Sequence, residues 1–159
     1  MSAATNNLKT YTGGCHCGAI RYSVALDLSG PNPEATKCNC SICLKTNRMG
    51  VKVTDPGKNF KLLAPASLDD MSDYCFNTKS THHRFCNNCG VHCFLHGRFV
   101  LEDQEISYFG LNAVTLDPDQ EGLDFRSFNV KYWDGKNWDG KPENLTTGTA
   151  DKPYPGGTY

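Results

Sequence analysis

The chain has 159 residues and a mass of 17.5 kDa, enough for one domain with a real core and too few to divide comfortably into two. Its 16 basic residues face 17 acidic ones, and a net charge of -1 excludes the clustered Lys and Arg that phosphate-backbone binding needs. No apolar run reaches the ~18 residues of a membrane-spanning helix, and 38% hydrophobic with 21% charged residues, Gly and Pro somewhat high, describes a turn-rich soluble globular chain.

Residues 1–11 are polar and expected to fray. They lack a basic region followed by an apolar run, so a cytoplasmic location is expected. Gly13-Gly14 leads into Cys15-His16-Cys17. A strand follows over Ala19–Leu26, with Ile20, Tyr22, Val24 and Leu26 on one side and Ala19, Arg21, Ser23 and Ala25 on the other. Gly30-Pro31-Asn32-Pro33 breaks it, and the chain reaches Cys38-Asn39-Cys40-Ser41-Ile42-Cys43 through Lys37, with a short helical turn predicted over Ser41–Arg48. Met49–Thr54 and Phe60–Leu63 read as short strands of a hairpin or meander around the Asp55-Pro56-Gly57 turn. Tyr74-Cys75-Phe76 and His83-Arg84-Phe85 bracket a polar turn, and the second run feeds Cys86-Asn87-Asn88-Cys89-Gly90. Val91–Val100 and Ile106–Val114 are further strand candidates, with Gly110 a candidate bulge. Beyond Pro118 the chain turns acidic and polar, and the Asp-Gly steps after Trp133 and Trp138 predict tight turns. The expectation is a mainly β protein of short antiparallel strands pinned by metal. Residues 12–144 form its single zinc-binding domain and 145–159 a polar C-terminal tail.

Nine cysteines in a reducing compartment point to metal ligation over a disulfide framework, and their odd number fits disulfides poorly. Seven fall into three clusters. Structural zinc takes four protein ligands, and catalytic zinc keeps one position open. Seven ligands cannot fill two closed sites, so the natural division is two pairs plus a triad. Cys15, Cys17, Cys86 and Cys89 make the closed site, Cys15 and Cys17 being placed on one face of a strand and the C-x-x-C-G turn curling its sulfurs around one centre. Cys38, Cys40 and Cys43 hold a second zinc with a fourth position open, unless Cys75, Cys93 or one of the five histidines closes it. His16, His82, His83 and His92 read as packed or surface imidazoles, and Cys75 and Cys93 as small apolar side chains. A soft three-thiolate centre suits a sulfur guest, presented as thiolate to an electrophilic carbonyl or released as thiolate when a carbon–sulfur bond breaks.

The runs Gly13-Gly14-Cys15-His16-Cys17-Gly18-Ala19-Ile20-Arg21-Tyr22, Cys38-Asn39-Cys40-Ser41-Ile42-Cys43 and Phe85-Cys86-Asn87-Asn88-Cys89-Gly90 resemble the glutathione-dependent formaldehyde-activating enzyme family and the centromere protein V-like domain. Order and spacing match from about Tyr11 to Gly90, and the Tyr132-Trp133-Asp134-Gly135 ending is similar too. The resemblance implies an Mss4-like β-tent with a structural zinc on Cys15, Cys17, Cys86 and Cys89 and a catalytic zinc on Cys38, Cys40 and Cys43. The implied activity joins glutathione to formaldehyde, a carbon–sulfur lyase reaction in reverse. One departure is the run Leu44-Lys45-Thr46-Asn47-Arg48-Met49-Gly50, where the cation that follows the third cysteine in many members is displaced by one. Lys45, Arg48 and Arg84 are candidate receptors for glutathione carboxylates.

These readings converge on a zinc-dependent carbon–sulfur lyase with two zinc ions per chain, acting on a thiol adduct, with glutathione as the expected thiol, of a small carbonyl compound. No nucleic acid or membrane partner is expected. Two alternatives stand beside it: a zinc Lewis-acid enzyme on a small carbonyl metabolite without glutathione, as in specialised metabolism, and a non-catalytic zinc-stabilised binding module.

Overall fold

The structure is a computed structural model and describes residues 7–30, 33–141 and 149–159. The alternation in the sequence becomes geometry first at β2 (Arg21–Leu26), where Tyr22, Val24 and Leu26, with Ile20 just before, are buried and the residues between them are not. β1 (Lys9–Gly14) pairs antiparallel with it from Lys9 opposite Leu26 to Gly14 opposite Arg21. Strand pairing is thus present from Lys9 on, inside the stretch expected to fray through residue 11. Contacts remote in sequence hold it: Tyr11 is buried and its hydroxyl donates to the Gly122 carbonyl, while Thr12 Oγ1 donates to Asp117 Oδ2 at 2.6 Å. Residues 1–6 of that stretch lie outside the described residues.

A third strand, β5 (Phe60–Ala64), completes a sheet of order β1-β2-β5. The second sheet is larger. Its strands are β3 (Glu34–Cys38), β4 (Gly50–Lys52), β6 (Ser72–Tyr74), β7 (Thr81–Phe85), β8 (His92–Leu101), β9 (Gln104–Asn112), β10 (Asn129–Trp133) and β11 (Thr149–Ala150), in the order β11-β10-β3-β4-β9-β8-β7-β6. Among the described residues the pairings are antiparallel except that of β3 with β10, which sets Trp133 beside Cys38. Two short helices, α1 (Ser41–Thr46) and α2 (Pro56–Asn59), interrupt the strands. The mainly β class and short antiparallel strands expected from the sequence are what the structure has.

Three local expectations change. The Asp55-Pro56-Gly57 turn does not close a hairpin, because β4 and β5 belong to different sheets. Asp55 is left-handed with φ 45, its carbonyl caps α2 by accepting from Lys58 and Asn59 at 3.0 Å, and the chain crosses from one sheet to the other. Gly110 is not a bulge: β8 and β9 run in unbroken register from Phe94 opposite Leu111 to Leu101 opposite Gln104. The tail expected over 145–159 contributes β11, whose Thr149 and Ala150 pair with Trp133 and Tyr132; residues 145–148 lie outside the described residues.

The core lies between the sheets. Tyr22 and Phe60 come from the smaller sheet, Phe94 and Phe109 from the larger, and their rings form a continuous cluster with centroids 5.5 Å (Tyr22–Phe60), 4.6 Å (Phe60–Phe109) and 5.1 Å (Phe94–Phe109) apart. Tyr22 is fully buried and its hydroxyl is satisfied by Thr115 Oγ1 at 2.7 Å. Replacing Phe94, 3% exposed at the centre of this cluster, by alanine is expected to cost about 3–5 kcal/mol, read as a shift in the urea midpoint without a change in slope. Among the described residues no helix is long and apolar enough to cross a membrane.

Candidate metal centres

All nine cysteines are free thiols, and seven gather at two places. Cys15, Cys17, Cys86 and Cys89 bring their sulfurs within 4.8 Å of one another. Cys15 and Cys17 do not share a strand face as expected; they occupy the turn after β1, where Gly18 takes φ 82 and its amide donates back to the Cys15 carbonyl. Cys86 and Cys89 follow β7 in a second turn, closed by the Gly90 amide on the Cys86 carbonyl at 3.0 Å, with Gly90 at φ 72. A strand could not do this, because its amides lie in the sheet plane. The turns aim amides at sulfur: Ile20 N–H at Cys15 Sγ (3.2 Å), Asn88 and Cys89 N–H at Cys86 Sγ (3.4 and 3.5 Å).

This donor set fits a tetrahedral ion. Zn–S bonds of about 2.3 Å place tetrahedral sulfurs about 3.8 Å apart, and Cys17 Sγ lies 3.6 Å from both Cys15 Sγ and Cys86 Sγ. Amides directed at sulfur suit thiolates better than neutral thiols. Their effect differs with environment. Burial pushes the Cys15 thiol up to about 11, whereas hydrogen bonds from Asn88 and the Ala19 backbone bring exposed Cys17 down to about 6.

The second group is built by the end of β3 and the start of α1. Cys38 closes the strand, Cys40 occupies the N-cap of α1 with extended φ and ψ, and Cys43 lies in the first turn, so the three sulfurs fall within 4.8 Å of one another. The Cys40 amide donates to Cys38 Sγ at 3.3 Å and the Cys40 carbonyl accepts from Leu44 at 2.9 Å. Hydrogen bonds from Cys38 and Cys43 hold the Cys40 thiol far below the ordinary range, and Cys43 is correspondingly raised by its two neighbours.

Among the described residues no fourth His, Cys, Asp or Glu donor joins this triad. Cys75 instead groups with Asp73 and His82 at the β6 edge, where His82 Nδ1 lies 2.6 Å from Asp73 Oδ2 and 3.3 Å from Cys75 Sγ. Cys93 is fully buried beside the four-cysteine group, and burial pushes its thiol up to about 12, as befits a small apolar side chain. His16 is exposed.

Several residues around the triad were not legible as site residues. Asn39, between two of the cysteines, is 5% exposed. Its amide nitrogen donates to Asp134 Oδ1 (2.6 Å) and the Pro155 carbonyl (3.4 Å), and its oxygen accepts from the Lys136 amide (2.9 Å), which pins both the Trp133-Asp134-Gly135 turn and the C-terminal segment beside the cysteines. Gly135 is required there, since a Cβ would collide with Cys38 Sγ. His83 is buried and part-buried His92 stacks on Phe85; burial lowers both imidazoles, and Arg48 lowers His83 further while Cys40 opposes it. Of the three candidate carboxylate receptors, Lys45 is exposed on α1 and Arg48 adjoins the triad. Arg84 is buried and committed elsewhere, donating to the Leu68 carbonyl at 3.0 Å and to His96 Nε2 at 3.3 Å.

Comparison with known proteins agrees with this geometry. A structure of a Rhodobacter sphaeroides protein, determined as a Northeast Structural Genomics target, is 24% identical and superposes with a TM-score of 0.51 over 72% of this chain and 92% of its own, a likeness of fold. The description of the matching family, over residues 10–125, is glutathione-dependent formaldehyde-activating enzyme. That span takes in all seven clustered cysteines and every strand from β2 to β9, and the chain belongs to this family, with its mainly β, Mss4-like fold.

Proposed function

We propose that the protein is a zinc-dependent carbon–sulfur lyase acting on the adduct of a thiol, glutathione in the first instance, with a small carbonyl compound, in the cytoplasm. The observation that carries the reading is the contrast between the two cysteine groups: four donors complete one, and three without a fourth His, Cys, Asp or Glu donor among the described residues make the other. Two zinc ions per chain follow, the first structural on Cys15, Cys17, Cys86 and Cys89. A zinc on Cys38, Cys40 and Cys43 would supply a soft Lewis acid with one free position, suited to holding a thiol as its thiolate.

The chain's own residues do the rest. β3 and α1 hold the three sulfurs on one short segment, so forming the centre costs little chain entropy. Asn39 locks the Asp134–Lys136 turn beside Cys38. Burial holds the His83 and His92 imidazoles below their ordinary range, which favours their neutral forms as proton acceptors beside the centre. In the synthetic direction a carbon–sulfur bond forms, the carbonyl π-bond breaks and the thiol proton ends on the carbonyl oxygen; no redox partner is needed.

Zinc content with zinc-edge absorption, measured with and without glutathione, tests the reading. Two zinc ions per chain, one gaining a sulfur neighbour on addition of glutathione, are expected, together with glutathione-dependent loss of formaldehyde. Loss of a small carbonyl substrate without added thiol would move the assignment to Lewis-acid chemistry. Two ions blind to glutathione would make the protein a binding module.

A further inference from the structure

We propose that Arg48 is the counter-charge of the triad and sets how tightly that centre takes a fourth, thiolate ligand. The inference rests on the open-triad reading above and adds a positioning residue to it.

The chain goes to some length to place this side chain. Asn47 ends α1 in the left-handed conformation with φ 47, the Arg48 amide donates to the Cys43 carbonyl at 3.1 Å, and the next amide, Met49, donates to buried Asn112 Oδ1 at 3.2 Å. The backbone is therefore held on both sides of Arg48. Its guanidinium then lies over two glycines of neighbouring strands, Gly50 in β4 and Gly110 in β9. A Cβ at Gly50 would sit 2.6 Å from Nη1, and one at Gly110 would collide with Nη2. The space that these glycines leave is the space the guanidinium fills, which accounts for Gly110 in an otherwise regular strand.

A guanidinium so enclosed is always charged and needs an anion. Among the described residues no carboxylate lies within 4.0 Å of it, and its Nε is buried without a hydrogen-bond partner. Burial disfavours its charge, and the sulfurs of Cys43, then Cys38 and Cys40, favour it; the backbone agrees, the Arg48 amide being anchored on the Cys43 carbonyl. Three thiolates on a divalent ion leave one net negative charge, and a fourth leaves two, so each added thiolate is harder to hold away from water. Arg48 offsets one of those charges, and its buried Nε–H has no competing acceptor among the described residues. This role differs from receiving a glutathione carboxylate, and a thiol without carboxylates separates the two.

The experiment uses the full chain loaded with cobalt(II) and follows the sulfur-to-cobalt charge-transfer band while 2-mercaptoethanol or glutathione is added. Arg48→Met is expected to weaken the affinity for both thiols by about 10- to 100-fold and to speed chelator removal of one of the two ions, leaving the other unchanged. Arg48→Lys, which keeps the charge and loses the planar fork, should recover part of the affinity. Unchanged affinity for 2-mercaptoethanol in Arg48→Met overturns the proposal, as does weakening toward glutathione alone. If Arg48→Met does not fold, Gly110→Ala displaces the guanidinium without removing it and must weaken 2-mercaptoethanol binding likewise; normal binding there overturns the proposal. Failure of the wild-type triad to take cobalt would instead sink the open-triad reading itself.

Discussion

Replacing Cys86 by serine is expected to leave the protein unfolded or reduced to a collapsed state without cooperative melting. Cys86 is 2% exposed, and its sulfur accepts the Asn88 and Cys89 amides while lying 3.6 Å from Cys17 Sγ. It therefore joins the end of β7, in the larger sheet, to the turn that links β1 and β2 in the smaller one. Serine offers a shorter, harder oxygen that is not ionised at neutral pH, and the four-ligand set fails. Structural zinc sites contribute on the order of 10 kcal/mol or more to folding, comparable with the whole stability of a domain this size, roughly 5–15 kcal/mol. Loss of the near-ultraviolet circular dichroism signal and rapid proteolysis would register the effect. A cooperative melt at the wild-type temperature would show that these four cysteines do not hold the fold together.

Cys40→Ser should behave in the opposite way, folding normally while activity falls by at least about 100-fold. The structural work at position 40 belongs to the backbone, whose amide meets Cys38 Sγ and whose carbonyl accepts from Leu44. Its side chain makes no capping hydrogen bond at the N-cap of α1, a position where serine is preferred, so the helix loses nothing and can gain. What disappears is one of the three sulfurs that meet at the triad. Zinc content should drop from two to one per chain, with the melting temperature moved by only a few degrees, since a shift of this size corresponds to about 1 kcal/mol or less. If Cys40→Ser and Cys86→Ser unfold alike, the triad is a structural element and the lyase assignment loses its support.

The two substitutions separate because the two centres are embedded differently. The four-cysteine group spans two turns 69 residues apart, counting from Cys17 to Cys86, so its ligands meet only when the sheets do. The triad is local: Cys38 to Cys43 would come together in almost any conformation that forms α1. On the proposed reading, metal at the first would be linked to folding and metal at the second mainly to chemistry.

Local pattern carried a good deal of this into the sequence. Period-two alternation over residues 20–26 matches the buried side of β2 residue by residue, because that strand has one wet and one dry face. The division of seven cysteines into two pairs plus a triad matches the two sets the fold assembles: thiols a few residues apart can reach a common centre whatever the rest of the chain does, and a four-ligand site then requires the two pairs to combine. Local pattern misled where partners were distant. Asp55-Pro56-Gly57 has the chemistry of a turn, but whether the strands around it pair with each other depends on β2 and β9. Polar residues 9–11 look frayed until Gly122 and Asp117 arrive from the far end of the chain.

The sequence by itself determined the ligand types, the three local cysteine clusters and the β class, because these rest on residue chemistry and on separations of a few residues, while joining Cys15 and Cys17 to Cys86 and Cys89 took the fold. Only the tertiary structure decided which strands share a sheet, that Arg84 is committed to the core while Arg48 lies over Gly50 and Gly110 beside the triad, and that Asn39 binds the Trp133–Lys136 turn and the C-terminal segment. The reason is physical: a side chain's charge and shape are written at its own position. Whether it meets an anion, a carbonyl or bare sheet is set by backbone brought from 16 to more than 100 residues away, as with Arg84 on Leu68, Met49 on Asn112 and Asn39 on Pro155.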